Sequence, residues 1–400
     1  MRTERKSREH SAWNESERLK AVQAPVIPVV GDWLRQTPGA ISLGQGVVNY
    51  GPPPEAREAV NKFFSDPENH KYKPVQGIPE LREALAKKLS AENGIPLGGR
   101  EVVVTAGANM GFYNALLVVT DPEDEIILPV PFYFNYEMAA AMANCRVVTV
   151  PTDESHQLDV DAIEKAITAR TKMVVTISPN NPTGAVYPEE ALREVNELCA
   201  ERGVYHLHDE AYEYFTYSDA KHFSPASRPG SEAHTIALFS FSKSYGLASW
   251  RVGYMVLPRH LFEAVRKIQD TILISPPVVS QHAALGALKA GPGYCRERAA
   301  KLAGVRHRVL SELRSVEAIC RLSETEGAFY FFLRPETRLS SATLAERLVR
   351  EHGVALIPGS AFGVEAPCGL RLSYGALDSG TVVEGVGRLV EGLRAIIRKS

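Results

Sequence analysis

The sequence predicts an α/β protein: a large domain on a mainly parallel sheet covered by helices on both faces, plus a smaller α+β domain. Three observations carry this expectation. Between about residues 101 and 256, short apolar runs alternate with amphipathic ones, the rhythm of βαβ units. The apolar runs are rich in β-branched residues and almost continuous, as strands buried on both faces are. After Gly291-Pro292-Gly293 the pattern changes to an α+β character of its own, which predicts a domain boundary there.

Taken in order, EVVVT from Glu101 is a strand and GANMGFYNALLVV, with Gly107 and Ala108 before Asn109, is the turn and helix after it. EIILP and RVVTV are further strands, DVDAIEKAI is helical, and KMVVTIS is a strand followed by the helix PEEALREVNELCAE. VYHLHD and TIALF continue the strand series. From Arg259 a helical stretch is interrupted at Ser275-Pro276-Pro277, where proline removes a backbone donor, and resumes to Ala290. Beyond the break, GAFYFFL, VALIP and GLRLSYG read as strands, and ATLAERLVREHG and the segment from Asp378 as helices. The sequence contains no internal repeat.

With 400 residues, 44% of them hydrophobic, the chain can bury a substantial core. A formal net charge of -2 gives no field that would gather nucleic acid or an anionic membrane. Five scattered cysteines without a C-x-x-C pair suggest neither a disulfide framework nor a zinc ribbon, and favour a reducing compartment. The first twenty residues are densely charged and lack the apolar stretch of a signal peptide, and no later run reaches about 18 apolar residues. The expectations are a cytoplasmic protein and a disordered or loosely docked arm over residues 1–20.

Three segments carry chemistry. SFSKSYGLASWRVGY, from Ser240 to Tyr254, places Lys243 among small hydroxyl residues with Arg251 eight positions on. One loop there offers an amine nucleophile together with Ser240, Ser242 and guanidinium donors suited to a phosphate; the plain alternative is a surface loop. SPNNPTGAVYPEE puts Asn181 at a strand's carboxyl end, as a turn residue or as a fixed donor. VYHLHDEAYEYF ends a strand with Asp209, followed by Tyr212. Asp209 reads as a helix N-cap, as a functional carboxylate, or, with His206 and His208, as a weak metal-ligand pattern. Upstream, Gly107, Ala108 and Asn109 lie between a strand and a helix, where free N–H groups and the helix dipole favour a phosphate. Gly44-Gln45-Gly46 does not complete G-x-G-x-x-G, and no P-loop occurs, so a dinucleotide fold is disfavoured.

NPTG at Asn181, DEAY at Asp209 and the segment around Lys243, in this order and spacing, resemble the fold type I, class I/II pyridoxal phosphate aminotransferases. YKPVQGIPELREAL from Tyr72, PFYFNY from Pro131, IPGSAFG from Ile357 and RLSYG from Arg371 extend the resemblance from about Val29 to the C-terminus. It implies a seven-stranded-type sheet, a large cofactor domain over residues 50–290 and a small domain from 21–49 with 291–400.

By this resemblance Lys243 holds pyridoxal phosphate as a Schiff base and shuttles the substrate proton. Asp209 pairs with the pyridine nitrogen, and Asn181 and Tyr212 bond the phenolic oxygen. Gly107, Ala108, Asn109, Ser240, Ser242 and Arg251 surround the phosphate, and Tyr133 stacks on the ring. Ala108 stands where relatives often have glycine. Arg371 clamps the substrate carboxylate, beside Gly46 and Asn181. Tyr72 reaches the phosphate of a neighbouring subunit, which implies a homodimer; no metal is implied. Val47, Tyr50, Tyr133, Tyr136 and Phe362 make a mostly apolar side-chain pocket, so the expected donor is an aromatic or larger apolar amino acid, with a 2-oxo acid as acceptor. The same fold and cofactor also serve β-lyases, synthases and oxidases. A non-catalytic sensor is disfavoured, because some twenty polar residues cannot supply a DNA-binding unit.

Overall fold

The structure is a computed structural model and describes residues 16–397. Of the arm expected over residues 1–20, residues 1–15 lie outside the described residues, and Glu17–Lys20 forms one helical turn.

The large sheet has seven strands, β1 (Arg100–Thr105), β2 (Glu125–Val130), β3 (Arg146–Pro151), β4 (Thr171–Ile177), β5 (Tyr205–Asp209), β6 (Thr235–Ser240) and β7 (Gly253–Pro258), in the spatial order β1-β7-β6-β5-β4-β2-β3. All neighbours pair in parallel except β7, which runs antiparallel to β1 and β6. Val103, Val104, Ile126, Ile127, Val174, Leu207, Ile236 and Leu238 are fully buried, which explains why these strands read as unbroken apolar runs. Strand β3, at one edge, keeps Arg146, Thr149 and Pro151 exposed.

Helices flank this sheet. After α1 (Val26–Gln36), which packs on the smaller unit, these are α2 (Pro54–Phe63), α3 (Pro79–Glu92), α4 (Ala108–Val119), α5 (Phe134–Met142), α6 (Glu189–Arg202), α7 (Phe262–Leu273) and α8 (Val278–Lys289). The expected break at Ser275-Pro276-Pro277 separates α7 from α8. The break at Gly291-Pro292-Gly293 is shorter than expected: Gly291, at φ 71°, turns the chain and opens α9 (Gly291–Leu313) itself. Proline fits there because the first helical turn has no intrahelical use for its missing N–H.

The smaller unit is an antiparallel sheet of β8 (Cys320–Leu322), β9 (Tyr330–Pro335), β10 (Ile357–Pro358) and β11 (Leu370–Ser373), ordered β10-β11-β9-β8, packed with α10 (Ser341–His352) and α11 (Ser379–Ile397). Ser340 caps α10 by accepting from the Thr343 N–H at 3.1 Å. Ile41–Ser42 pairs in parallel with Val354–Ala355, and α1 packs on α10, so the segment before α2 rests on the C-terminal unit. Among the described residues no helix is long and apolar enough to cross a membrane.

Candidate active site

The carboxyl ends of β4, β5 and β6 open into a cavity of about 250 Å³, the place where parallel α/β sheets receive ligands. Its lining includes Gly46, Ala108, Asn109, Tyr133, Asn181, Asp209, Tyr212, Ser240, Ser242, Lys243, Arg251 and Arg371. A larger cleft of about 970 Å³ elsewhere is walled by four glutamates with Lys221, Arg321 and Arg334 and gathers no comparable chemistry.

One wall gathers donors suited to an anion. Helix α4 begins at Ala108 with no side-chain cap, so its first N–H groups are free. Gly107 precedes it at φ 84°, and a Cβ there would lie 2.5 Å from Arg251 Nη2. Glycine therefore lets the guanidinium come down on the helix start. Arg251 Nη1 donates to the Ala248 carbonyl at 2.9 Å, and Ser240 and Ser242 complete the wall.

Lys243 extends from the short helix Phe241–Ser244 after β6. Its Nζ donates to the Gly46 carbonyl, and its own carbonyl accepts from the Tyr50 hydroxyl at 2.9 Å. Burial, reinforced by Arg371 and Arg251 and opposed by Asp209, pulls the amine down to about 8. Asp209 is buried; burial pushes its carboxyl up to about 6, against the Tyr136 hydroxyl donating to Oδ2 at 2.6 Å and the Ala211 N–H donating to Oδ1 at 2.9 Å. That second bond is the only trace of a cap, because a turn rather than a helix follows.

Arg371, on β11, is buried between aromatic faces, its guanidinium carbon 4.8 Å from the Tyr330 ring centre and 5.0 Å from that of Phe362. Nη1 donates to Asn181 Oδ1 at 2.9 Å and Nη2 to the Gly44 carbonyl at 2.6 Å, while buried Nε has no partner among the described residues. Asn181 Nδ2 faces the Tyr212 hydroxyl at 3.4 Å, and that hydroxyl meets the Tyr330 hydroxyl at 2.7 Å. Asn181 is free for this because its neighbour Asn180 makes the turn, accepting from the Thr183 N–H at 3.1 Å and hydroxyl at 2.8 Å.

A family model for aminotransferase class I and II matches residues 38–389. The chain belongs to this family. It is 36% identical over 365 residues to a probable aspartate/prephenate aminotransferase of Aquifex aeolicus, covering 89% of this chain and 91% of that protein. It is 34% identical to the aromatic aminotransferase ISS1 of Arabidopsis thaliana, covering 96% and 97%. The aspartate aminotransferase of Thermus thermophilus solved with maleate superposes with a TM-score of 0.86 at 30% identity, covering 95% of this chain and all of that one. This aminotransferase therefore uses pyridoxal phosphate, and the donor set fits that group: an anion receptor, a depressed amine and a buried carboxylate face one cavity.

Several expectations of the aminotransferase pocket need correction. Tyr136 lies beneath the wall, its hydroxyl committed to Asp209 and its ring packed on Phe112 at 4.5 Å. Phe362 lies behind Arg371, and the Tyr50 ring turns to Tyr294 and Arg298. Val47 and Tyr133 do line the cavity, joined by Ile27, Phe134 and Tyr330, which sequence reasoning missed. Tyr72 lies outside the cavity with 80% of its surface exposed. The metal pattern does not assemble: His206 and His208 both bond the Thr176 hydroxyl, at 2.8 and 2.7 Å, whereas Asp209 bonds Tyr136 and Ala211.

Proposed function

We propose that this aminotransferase moves the amino group of an L-amino acid with an aromatic or larger apolar side chain to a 2-oxo acid, acting as a cytoplasmic homodimer. The observation that carries this reading is the convergence of Lys243, Asp209 and Arg371, from three separate elements, on one cavity. Bound there, pyridoxal phosphate supplies an electron sink beside the substrate Cα. Lys243, with its lowered proton affinity, takes and returns the Cα proton. Asp209 holds a proton on the pyridine nitrogen, and Asn181 and Tyr212 donate toward the phenolic oxygen. The backbone at Gly107, Ala108 and Asn109, with Ser240, Ser242 and Arg251, binds the phosphate, and Tyr133 covers the ring. Arg371 binds the substrate carboxylate through Nε and its unused N–H groups, while Gly46 and Asn181 frame it.

Residues 50–290 form the cofactor domain and 21–49 with 291–400 the small one, a division supported by the pairing of Ile41–Ser42 with Val354–Ala355. Tyr72 of each copy serves the other's phosphate. The five unpaired cysteines suit a reducing compartment.

One relative is named for aspartate and prephenate and another for aromatic substrates, so the wall of this cavity decides the donor. Among the described residues lining it, the cations are Lys243, Arg251 and Arg371. Each has a role already, which leaves no partner for a second carboxylate, and Ile27, Val47 and Phe134 offer apolar surface. The test is turnover of the holoenzyme with phenylalanine, methionine, aspartate and glutamate against several 2-oxo acids. The highest kcat/KM is expected with phenylalanine or methionine. A clear win for aspartate overturns the donor class, and ammonia release without an acceptor overturns transfer.

A further inference from the structure

Tyr330 opens β9, is fully buried, and lines the active-site cavity without belonging to any of the motifs that identified it. We propose that Tyr330 is a positioning residue: its hydroxyl donates to Tyr212 and turns the Tyr212 proton toward the cofactor's phenolic oxygen, while its ring fixes the plane of Arg371. The inference rests on the role given above to Tyr212.

The proton arrangement follows from counting donors. A phenol has one proton and can accept twice. Asn181 cannot present its oxygen to Tyr212, because Oδ1 accepts from Arg371 Nη1 at 2.9 Å, so its amide N–H faces the Tyr212 oxygen. The remaining neighbour of that oxygen is the Tyr330 hydroxyl at 2.7 Å. If Tyr212 donated to Tyr330, the Tyr330 proton would need another acceptor, and among the described residues its hydroxyl has no other hydrogen-bond partner. A buried donor left unmatched keeps its full desolvation penalty. Tyr330 therefore donates, the Tyr212 oxygen accepts from both neighbours, and its own proton points into the cavity. Gly46 keeps this geometry open, since a Cβ there would lie 2.7 Å from the Tyr330 hydroxyl. The Tyr330 ring, with Phe362, leaves Arg371 little freedom to rotate.

The hydroxyl is tested by titrating the visible absorbance of the bound cofactor with pH in holoenzyme carrying Tyr330→Phe, Tyr212→Phe or both. Losing a donor raises the proton affinity of the phenolic oxygen, so Tyr212→Phe should move the midpoint up by about one pH unit and Tyr330→Phe by about half a unit. The double variant should move no further than Tyr212→Phe, since Tyr330 acts through it. An unmoved midpoint in Tyr330→Phe, or additive shifts, overturns the inference. An unmoved midpoint in Tyr212→Phe overturns the role of Tyr212 itself, and the inference with it. The ring is tested by KM: Tyr330→Phe should leave KM for the amino acid within about twofold, whereas Tyr330→Leu should raise it about tenfold. Equal KM values in these two variants remove the ring's role.

Discussion

At the scale of single residues, the site turns on a conflict between stability and reactivity at Lys243. An ordinary lysine is about 0.1% neutral at pH 7.5, whereas an amine at about 8 is roughly a quarter neutral there. Burial is the first cause of this, so the same effect penalises the folded state. The folded state binds protons less readily than the unfolded one, so the penalty is complete below about pH 8 and fades as pH rises toward the ordinary lysine value. In cofactor-free protein, modification of Lys243 by a small amine-reactive reagent should be half-maximal near pH 8, read by mass spectrometry of the labelled peptide. A midpoint near 10.5 would falsify the depressed amine. Lys243→Ala should abolish amino transfer with little change in circular dichroism, and Lys243→Met should raise the cofactor-free Tm at pH 7. Lys243, Asp209, Asn181 and Arg371 were legible in the sequence because each sits in a short motif whose chemistry no neighbour duplicates. Tyr330 was not legible. Its place depends on the register that sets Tyr330 opposite Ser373 and Phe332 opposite Arg371, which no local pattern encodes. Tyr50, Tyr136 and Phe362 failed for a related reason: sequence placed them near the site without saying which way each ring turns.

At the scale of elements, the strands were the most legible features, since continuous burial leaves an unmistakable apolar run. The reversal of β7 between β1 and β6 was not, because its interior is as apolar as that of its parallel neighbours. What the elements add to function is concentrated at the start of α4. Gly107, at φ 84° and ψ 165°, occupies backbone space that is nearly glycine-only, and its missing side chain is where Arg251 lies. Gly107→Ala must both strain the turn and displace the guanidinium. It should weaken cofactor binding about tenfold or more, measured by equilibrium dialysis, while the rest of the helix keeps its place. Unchanged cofactor affinity in a folded Gly107→Ala variant would remove the helix start from the phosphate site. Burial of α4 against the sheet, through Phe112, Ala115 and Leu116, keeps the effect local.

At the scale of the whole molecule, one face is unlike the rest. Tyr72, 80% exposed, and Phe64, 65% exposed, line the groove before α8 with Ser275–Val279, and the exposed Ile272, Leu273 and Ile274 immediately precede that wall in the chain. A soluble surface rarely leaves so many large apolar groups together without a partner. Ile274 adds a second sign: a β-branched residue at φ 66° is held in a conformation costing about 1–3 kcal/mol, which persists only where its surroundings fix it. A second copy of the chain on this face would cover the apolar groups and bring Tyr72 to the other copy's phosphate site, which a single chain leaves without it. Phe64→Asp with Ile274→Asp places one charge in the groove and one beside it in the chain, and neither residue lines the active-site cavity. In sedimentation equilibrium the natural protein should be a dimer and the double variant a monomer. The monomer should also retain pyridoxal phosphate less tightly, because Tyr72 no longer reaches a second site. A natural protein that sediments as a monomer with full cofactor affinity would defeat the homodimer, and a monomeric variant that binds the cofactor as tightly as the dimer would remove Tyr72 from the shared site.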